Sequence, residues 1–154
     1  MGQGITFKCP SCGHEFGYIF GGGMILPQEK DLEGQEGFEE VKQFVSEHPN
    51  GLVDCSLVVR KCSKCGVLAN VRDFSMWLPK DENEPLEYGN YFYADRRKYR
   101  KYRNVSYICK KCGSRRSKTL NMRDLSDLIQ KNGIECPECG KKLGYETVSF
   151  DFWD

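Results

Sequence analysis

Cys9-Pro10-Ser11-Cys12-Gly13, Cys62-Ser63-Lys64-Cys65-Gly66, Cys109-Lys110-Lys111-Cys112-Gly113 and Cys136-Pro137-Glu138-Cys139-Gly140 are four copies of one pattern. Together they use eight of the nine cysteines in a chain of 154 residues. A two-residue spacer lets one tight turn offer two sulfurs to the same ion, and a soft divalent cation takes four sulfurs at about 2.3 Å. The glycine after each second cysteine suits that turn. Without a Cβ it reaches positive φ and lets backbone N–H groups approach the sulfurs. Four pairs make two closed cages, read here as two structural Zn²⁺ sites with ligands Cys9, Cys12, Cys62, Cys65, Cys109, Cys112, Cys136 and Cys139. Iron fits a cage of the same shape, because sulfur geometry does not separate the two metals.

Other uses of the cysteines fit less well. A disulfide framework belongs to an oxidising compartment and usually follows a signal peptide. Residues 1–8 show no basic segment leading into an apolar one, so a cytoplasmic protein is expected. A redox-active CxxC normally occurs once, near a βαβ pattern. The fold expected is a small metal-stabilised α+β protein: two four-cysteine zinc ribbons of short antiparallel strands, each with an inserted helix. Metal binding then supplies much of the folding free energy that a small core does not.

Strands are expected over residues 5–9 and 14–20, joined as a hairpin around the first knuckle, and Gly21-Gly22-Gly23 ends the second. No Gly-Lys-Ser/Thr follows the triplet, so it is not a phosphate-binding loop. Residues 36–48 form an amphipathic helix with Phe38, Val41, Phe44 and Val45 on one face, stopped by Pro49-Asn50-Gly51. One strand is expected over 52–60 and another over 67–78, with Cys55 a buried free thiol on the apolar row of the first. Asn121 caps a helix over 122–132 that ends at Gly133, and 143–153 alternates as a strand through Val148, Phe150 and Phe152.

These spacings favour pairing in sequence: Cys9, Cys12, Cys62 and Cys65 at one site, Cys109, Cys112, Cys136 and Cys139 at the other. The alternative shares pairs between the two halves. Sequential pairing divides the chain into a ribbon with a helical insertion (1–79), an acidic-then-basic linker (80–104) and a second ribbon (105–154). The CPxCG and CxxCG turns resemble those of zinc-ribbon and rubredoxin-like proteins. The opening Met1-Gly2-Gln3-Gly4, the early CxxCG and the closing CPECG are also similar to small bacterial zinc-ribbon proteins of unassigned function. The resemblance implies metal binding and covers the ribbons only. Ribbons serve transcription, translation, modification enzymes and protein docking, so it leaves the task open.

Charge supplies the functional expectation. Eight thiolates on two divalent ions turn the formal +1 into about −3, and lysines beside the knuckles offset the cages. Eleven basic residues, Arg96, Arg97, Lys98, Arg100, Lys101, Arg103, Lys110, Lys111, Arg115, Arg116 and Lys118, follow one another with no acidic residue between. Tyr99, Tyr102 and Tyr107 interleave. Such a stripe suits RNA or DNA, cations on phosphates and tyrosines on unpaired bases. Against it stands a solvated basic face that answers the acidic stretch 29–54, within the molecule or between copies. The runner-up is a protein adaptor using that acidic helix and the aromatic run Tyr91, Phe92 and Tyr93, and a third reading is an iron electron carrier of rubredoxin type.

An independent enzyme is the weakest expectation. His14 and His48 are the only histidines, and Asp54, Asp73 and Glu146 show no pairing. No nucleophile set, HExxH or dinucleotide fingerprint occurs. A cage closed by four sulfurs also lacks the open position of a catalytic zinc. No membrane association and no small-molecule substrate are expected.

Overall fold

The computed structural model describes residues 2–22 and 27–153; Met1 and Gly23, read above as part of the opening and of the glycine triplet, lie outside them. The elements begin with β1 (Gly2–Lys8), β2 (Glu15–Gly21), α1 (Glu29–Leu32) and α2 (Phe38–Glu47). Then come β3 (Leu52–Asp54), β4 (Leu57–Cys62), β5 (Leu68–Arg72), β6 (Ser75–Pro79) and β7 (Tyr99–Asn104). The remainder is β8 (Ser117–Leu120), α3 (Met122–Gln130), β9 (Ile134–Glu135), β10 (Lys142–Leu143), a 3-10 turn (Tyr145–Thr147) and β11 (Val148–Trp153). The sheets are antiparallel and the helices few, a small α+β protein.

Two pairings decide the topology. β1 pairs with β2 as a hairpin, and its other edge takes β11, with Phe7 opposite Val148 and Gly2 opposite Trp153. β4 takes β5 on one edge and β8 on the other, with Cys62 opposite Ser117. β2 and β4 meet at Gly21 and Leu57, which joins these strands into one six-stranded sheet. The Asn70 side-chain amide reinforces the junction, accepting from the Ile19 N–H at 2.6 Å and donating to the Ile19 carbonyl at 2.8 Å.

The strands expected over 52–60 and 67–78 are each broken, and at facing places. Asp54-Cys55-Ser56 interrupts the first and Asp73-Phe74-Ser75 the second. Asp54 Oδ1 accepts from the Ser56 N–H at 2.9 Å, and Asp73 accepts from the Ser75 hydroxyl. Such side-chain bonds to a residue two positions on compete with the strand ladder. Asp73 N–H donates to the Ser56 carbonyl at 2.9 Å, and Phe74 sits at φ 45°, a rare conformation for an aromatic residue. One long hairpin therefore bends at a corner. Its tip, β4 and β5, stays in the six-stranded sheet, while its base, β3 and β6, joins β7 in a three-stranded sheet ordered β3-β6-β7.

Each sheet carries its own core. Ile5 and Phe7 of β1 pack on Leu125 and Ile129 of α3 and on Ile134 and Leu143, together with Cys9 and Cys136. Phe38, Val41 and Phe44 of α2 pack on Val53, Phe74, Met76 and Leu32. Cys55 is buried at the corner in this second core, apart from the other eight cysteines, and burial pushes its thiol up to about 12. It behaves as a small apolar side chain.

α3 begins as its sequence implies. Asn121 Oδ1 accepts from the Asp124 N–H at 2.8 Å, while Asp124 Oδ2 accepts from the Asn121 N–H at 3.1 Å. Its end differs in one detail. Asn132, rather than Gly133, takes the left-handed conformation (φ 48°), and Gly133 N–H closes the helix on the Leu128 carbonyl at 2.7 Å. Replacing Asn121→Ala should cost about 1 kcal/mol in urea denaturation of the metal-loaded protein at pH 7. An unchanged midpoint would show that the cap contributes nothing.

Candidate metal centres

Four knuckles have one geometry. The glycine N–H donates to the carbonyl of the first cysteine in Gly13–Cys9, Gly66–Cys62, Gly113–Cys109 and Gly140–Cys136, at 2.8, 3.0, 2.8 and 2.8 Å. The N–H of each first cysteine donates to the carbonyl five residues on, His14, Val67, Ser114 and Lys141, at 2.9 Å in every case. The glycines lie at φ +73°, +76°, +70° and +74°, with open space where a Cβ would stand. Conformation alone demands glycine there.

The pairing is nested, not sequential. Cys9 and Cys12 gather with Cys136 and Cys139, and Cys62 and Cys65 gather with Cys109 and Cys112. Strand pairing is the cause: β11 on β1 carries the last knuckle to the first, and β8 on β4 carries the third to the second. Ser63 N–H on the Arg116 carbonyl at 2.9 Å locks the latter pair. Chain separation opposes this little, since doubling a loop costs only about 0.6 kcal/mol. The sequence held one further signal. The two knuckles with proline after the first cysteine share the first centre, and the two with lysine before the second share the other.

The sulfurs fit a tetrahedral ion. Within each group every Sγ lies within 4.8 Å of the others. The close approaches are Cys9–Cys139 at 3.5 Å, Cys12–Cys136 at 3.7 Å, Cys62–Cys112 at 3.6 Å and Cys65–Cys109 at 3.6 Å. A tetrahedron with metal–sulfur bonds of about 2.3 Å has edges of about 3.8 Å. A disulfide needs about 2.05 Å, so none of these pairs is one. The first cysteine of each knuckle is buried, while Cys65 and Cys112 are half-buried and Cys12 and Cys139 exposed.

Proton affinity differs among the sulfurs of each cage. Burial raises the Cys9 thiol, but the N–H groups of Cys12 and Ser11 and the adjacent sulfurs bring it down to about 6. The Cys65 N–H, aided by that of Lys64, brings Cys62 down to about 6 against the effect of burial. Cys109 is lowered in the same manner against its burial. For Cys12 the His14 N–H pulls downward, yet burial and the surrounding sulfurs push the thiol up to about 12, and Cys112 rises likewise to about 11. Some sulfurs in each cage thus ionise readily while others hold their protons. Only a cation among them lets all four be thiolates.

The basic stripe is partly committed. Lys98 pairs with Glu84 at 2.6 Å, Lys118 with Asp124 at 3.3 Å and Arg103 with Glu40 of α2 at 3.9 Å. Arg97 pairs with Asp95 at 2.9 Å and thereby holds that carboxyl at about 2. The Glu40 contact brings the acidic helix onto the stripe within the molecule. Arg96, Arg100, Lys101, Lys110, Lys111, Arg115 and Arg116 have no carboxylate partner among the described residues. Tyr99 is buried, Tyr107 is half-buried beside Arg60, and Tyr102 lies against Phe44 with ring centroids 5.5 Å apart. Of the three, Tyr102 alone is exposed. In the aromatic run, Tyr91 packs on the second core while Phe92 stacks on exposed Tyr88 at 4.6 Å.

A cleft of about 650 Å³ lies between the two centres, with Cys65 and Lys111 on one wall and Cys136 and Pro137 on the other. No helix among the described residues is long and apolar enough to cross a membrane. The chain matches none of the family models, curated proteins or solved structures with which it was compared.

Purified protein is expected to carry two divalent ions per chain, to lose both in strong chelator and to lose its near-UV circular dichroism with them. Acid should release the ions too, because protons compete for the same sulfurs. A metal-free chain that keeps its fold in chelator would contradict the assignment.

Proposed function

We propose that this is a two-zinc, non-enzymatic protein that binds single-stranded RNA or DNA across the face of its second centre. The supporting observation is a charge imbalance that nested pairing creates. Around the first centre, Lys8, Lys141 and Lys142 are matched by Glu15, Glu135 and Glu138. Around the second stand Lys61, Lys64, Lys110, Lys111, Arg115 and Arg116, with no acidic residue in either knuckle. Four thiolates on a divalent ion carry a net charge of about −2. Six cations exceed that by four, so neutralising the cage does not account for them. A concentrated positive field on a rigid turn suits a polyanion.

β7 precedes the third knuckle along the chain and adds further cations. It is an edge strand of its sheet, and Arg100 and Lys101 on it have no carboxylate partner among the described residues. Edge charges also keep such a strand from pairing with another chain, so β7 alone is the weaker support. Zinc is favoured over iron because a closed, all-sulfur tetrahedral cage is its usual structural site. The same closure makes scaffolding, not catalysis, the part each ion plays. The visible spectrum of natively purified protein separates the metals, a colourless solution being expected.

Fluorescence anisotropy of a labelled oligouridine should show affinity falling steeply with KCl. Combining Lys64→Gln, Lys111→Gln and Arg116→Gln should reduce the log–log salt slope by about 2. The triple change at Lys8, Lys141 and Lys142 should leave it nearly unaltered. Affinity indifferent to salt, or equal losses from the two triples, would point instead to protein docking, for which exposed Tyr88, stacked on half-buried Phe92, offers an aromatic contact.

A further inference from the structure

The cleft of about 650 Å³ between the two centres falls within the usual size of small-ligand pockets, about 300–1,000 Å³. Its two sides carry opposite charge. On the side of the second centre stand Lys61 of β4 and Lys111 of the third knuckle. Leu68 lies directly opposite Lys61 in the β4–β5 register, so the two share one face of the hairpin. Lys61 is half-buried, and neither lysine has a carboxylate partner among the described residues. On the side of the first centre stand Glu135, Cys136 and Pro137, together with Tyr18 of β2, which packs against the core beneath that centre. Glu135 is exposed and has no cationic partner among the described residues.

Tyr18 is the fixed polar point of this cleft. Its ring meets those of Phe7 and Phe16 edge-on, with centroids 6.1 Å away in each case. Its hydroxyl has no hydrogen-bond partner among the described residues, and burial pushes it up to about 12, so it keeps its proton and donates at neutral pH. A bare polyanion would satisfy the lysines but meet repulsion from Glu135 and from the thiolates of the first cage. A nucleotide suits both sides. Its phosphate is anionic, while its base carries N–H donors for a carboxylate and carbonyl acceptors for a phenol. We propose that this cleft holds one nucleotide of the bound strand, its phosphate on Lys61 and Lys111 and its base toward Tyr18 and Glu135. The inference rests on the strand-binding reading and adds to it a place where a base, and not only a phosphate, is recognised.

Anisotropy of the zinc-loaded full chain tests it with a labelled oligouridine and an abasic ribose-phosphate strand of equal length. Tyr18→Phe keeps the packed ring and removes only the hydroxyl. It should weaken the oligouridine about threefold or more and leave the abasic strand unaffected, a difference that a merely structural role would not produce. Lys61→Gln should weaken both strands and lower each log–log salt slope by about 0.7. Lys8→Gln, outside the cleft, should alter neither. With 4-thiouridine in the strand, near-ultraviolet light should attach it to peptides bearing Tyr18, Leu68 or Pro137. Strand binding in which Tyr18→Phe acts equally on both strands or on neither, or adducts that spare those peptides, overturns the cleft and leaves the strand-binding face in place. Absence of salt-dependent binding by either strand overturns both.

Discussion

Four thiolates confined within 4.8 Å of one another repel strongly, and this repulsion sets the condition on which the rest of the molecule depends. Identical backbone hydrogen bonds and left-handed glycines set the two sulfurs of each knuckle, and strand pairing brings the knuckles together. The same turns aim N–H groups at Cys9, Cys62 and Cys109 and ease their ionisation, which favours a cation among them. The buried first cysteines Cys9 and Cys136 belong to the apolar core around β1 and α3. Loss of the ion there therefore affects packing as well as charge.

Nesting makes the two centres unequal in architectural consequence. The first joins residues from both ends of the described chain, and the β1–β11 ladder runs out from it. The second sits inside that closure, at the tip of a bent hairpin clamped by β8. Neither lies wholly within the first half or the second half of the sequence. The two cores follow the two sheets, one beneath the first centre and one around α2, with the Asp-x-Ser corners as the passage between them. Electrostatics divides likewise: glutamates cancel the lysines of the first centre and leave it negative, whereas the second has surplus positive charge.

Local features were legible in the sequence because local physics decides them. The knuckles, the β1–β2 hairpin, the apolar face of α2, the cap of α3 and the burial of Cys55 all follow from short-range pattern. Partnership between distant knuckles is decided by which strands pair, and nothing local in Val148-Ser149-Phe150 names β1 as its neighbour. Spacing misled because loop closure depends so weakly on length. Composition of the knuckles was the better guide, proline with proline and lysine with lysine. The breaks in both long strands were visible as Asp54-Cys55-Ser56 and Asp73-Phe74-Ser75, yet alternation of apolar residues runs through them and masks the corner. The tyrosines of the stripe read as free rings, whereas Tyr99 is buried and Tyr102 lies against Phe44.

The nested cages can be mapped ligand by ligand. In protein loaded with cadmium-113, proton–cadmium correlation spectroscopy links each metal resonance to the β protons of the cysteines that hold it. The account predicts one cadmium signal coupled to Cys9, Cys12, Cys136 and Cys139, and a second coupled to Cys62, Cys65, Cys109 and Cys112. A signal joining Cys9 and Cys12 to Cys62 and Cys65 would contradict it, and with it the charge imbalance from which the nucleic-acid reading follows.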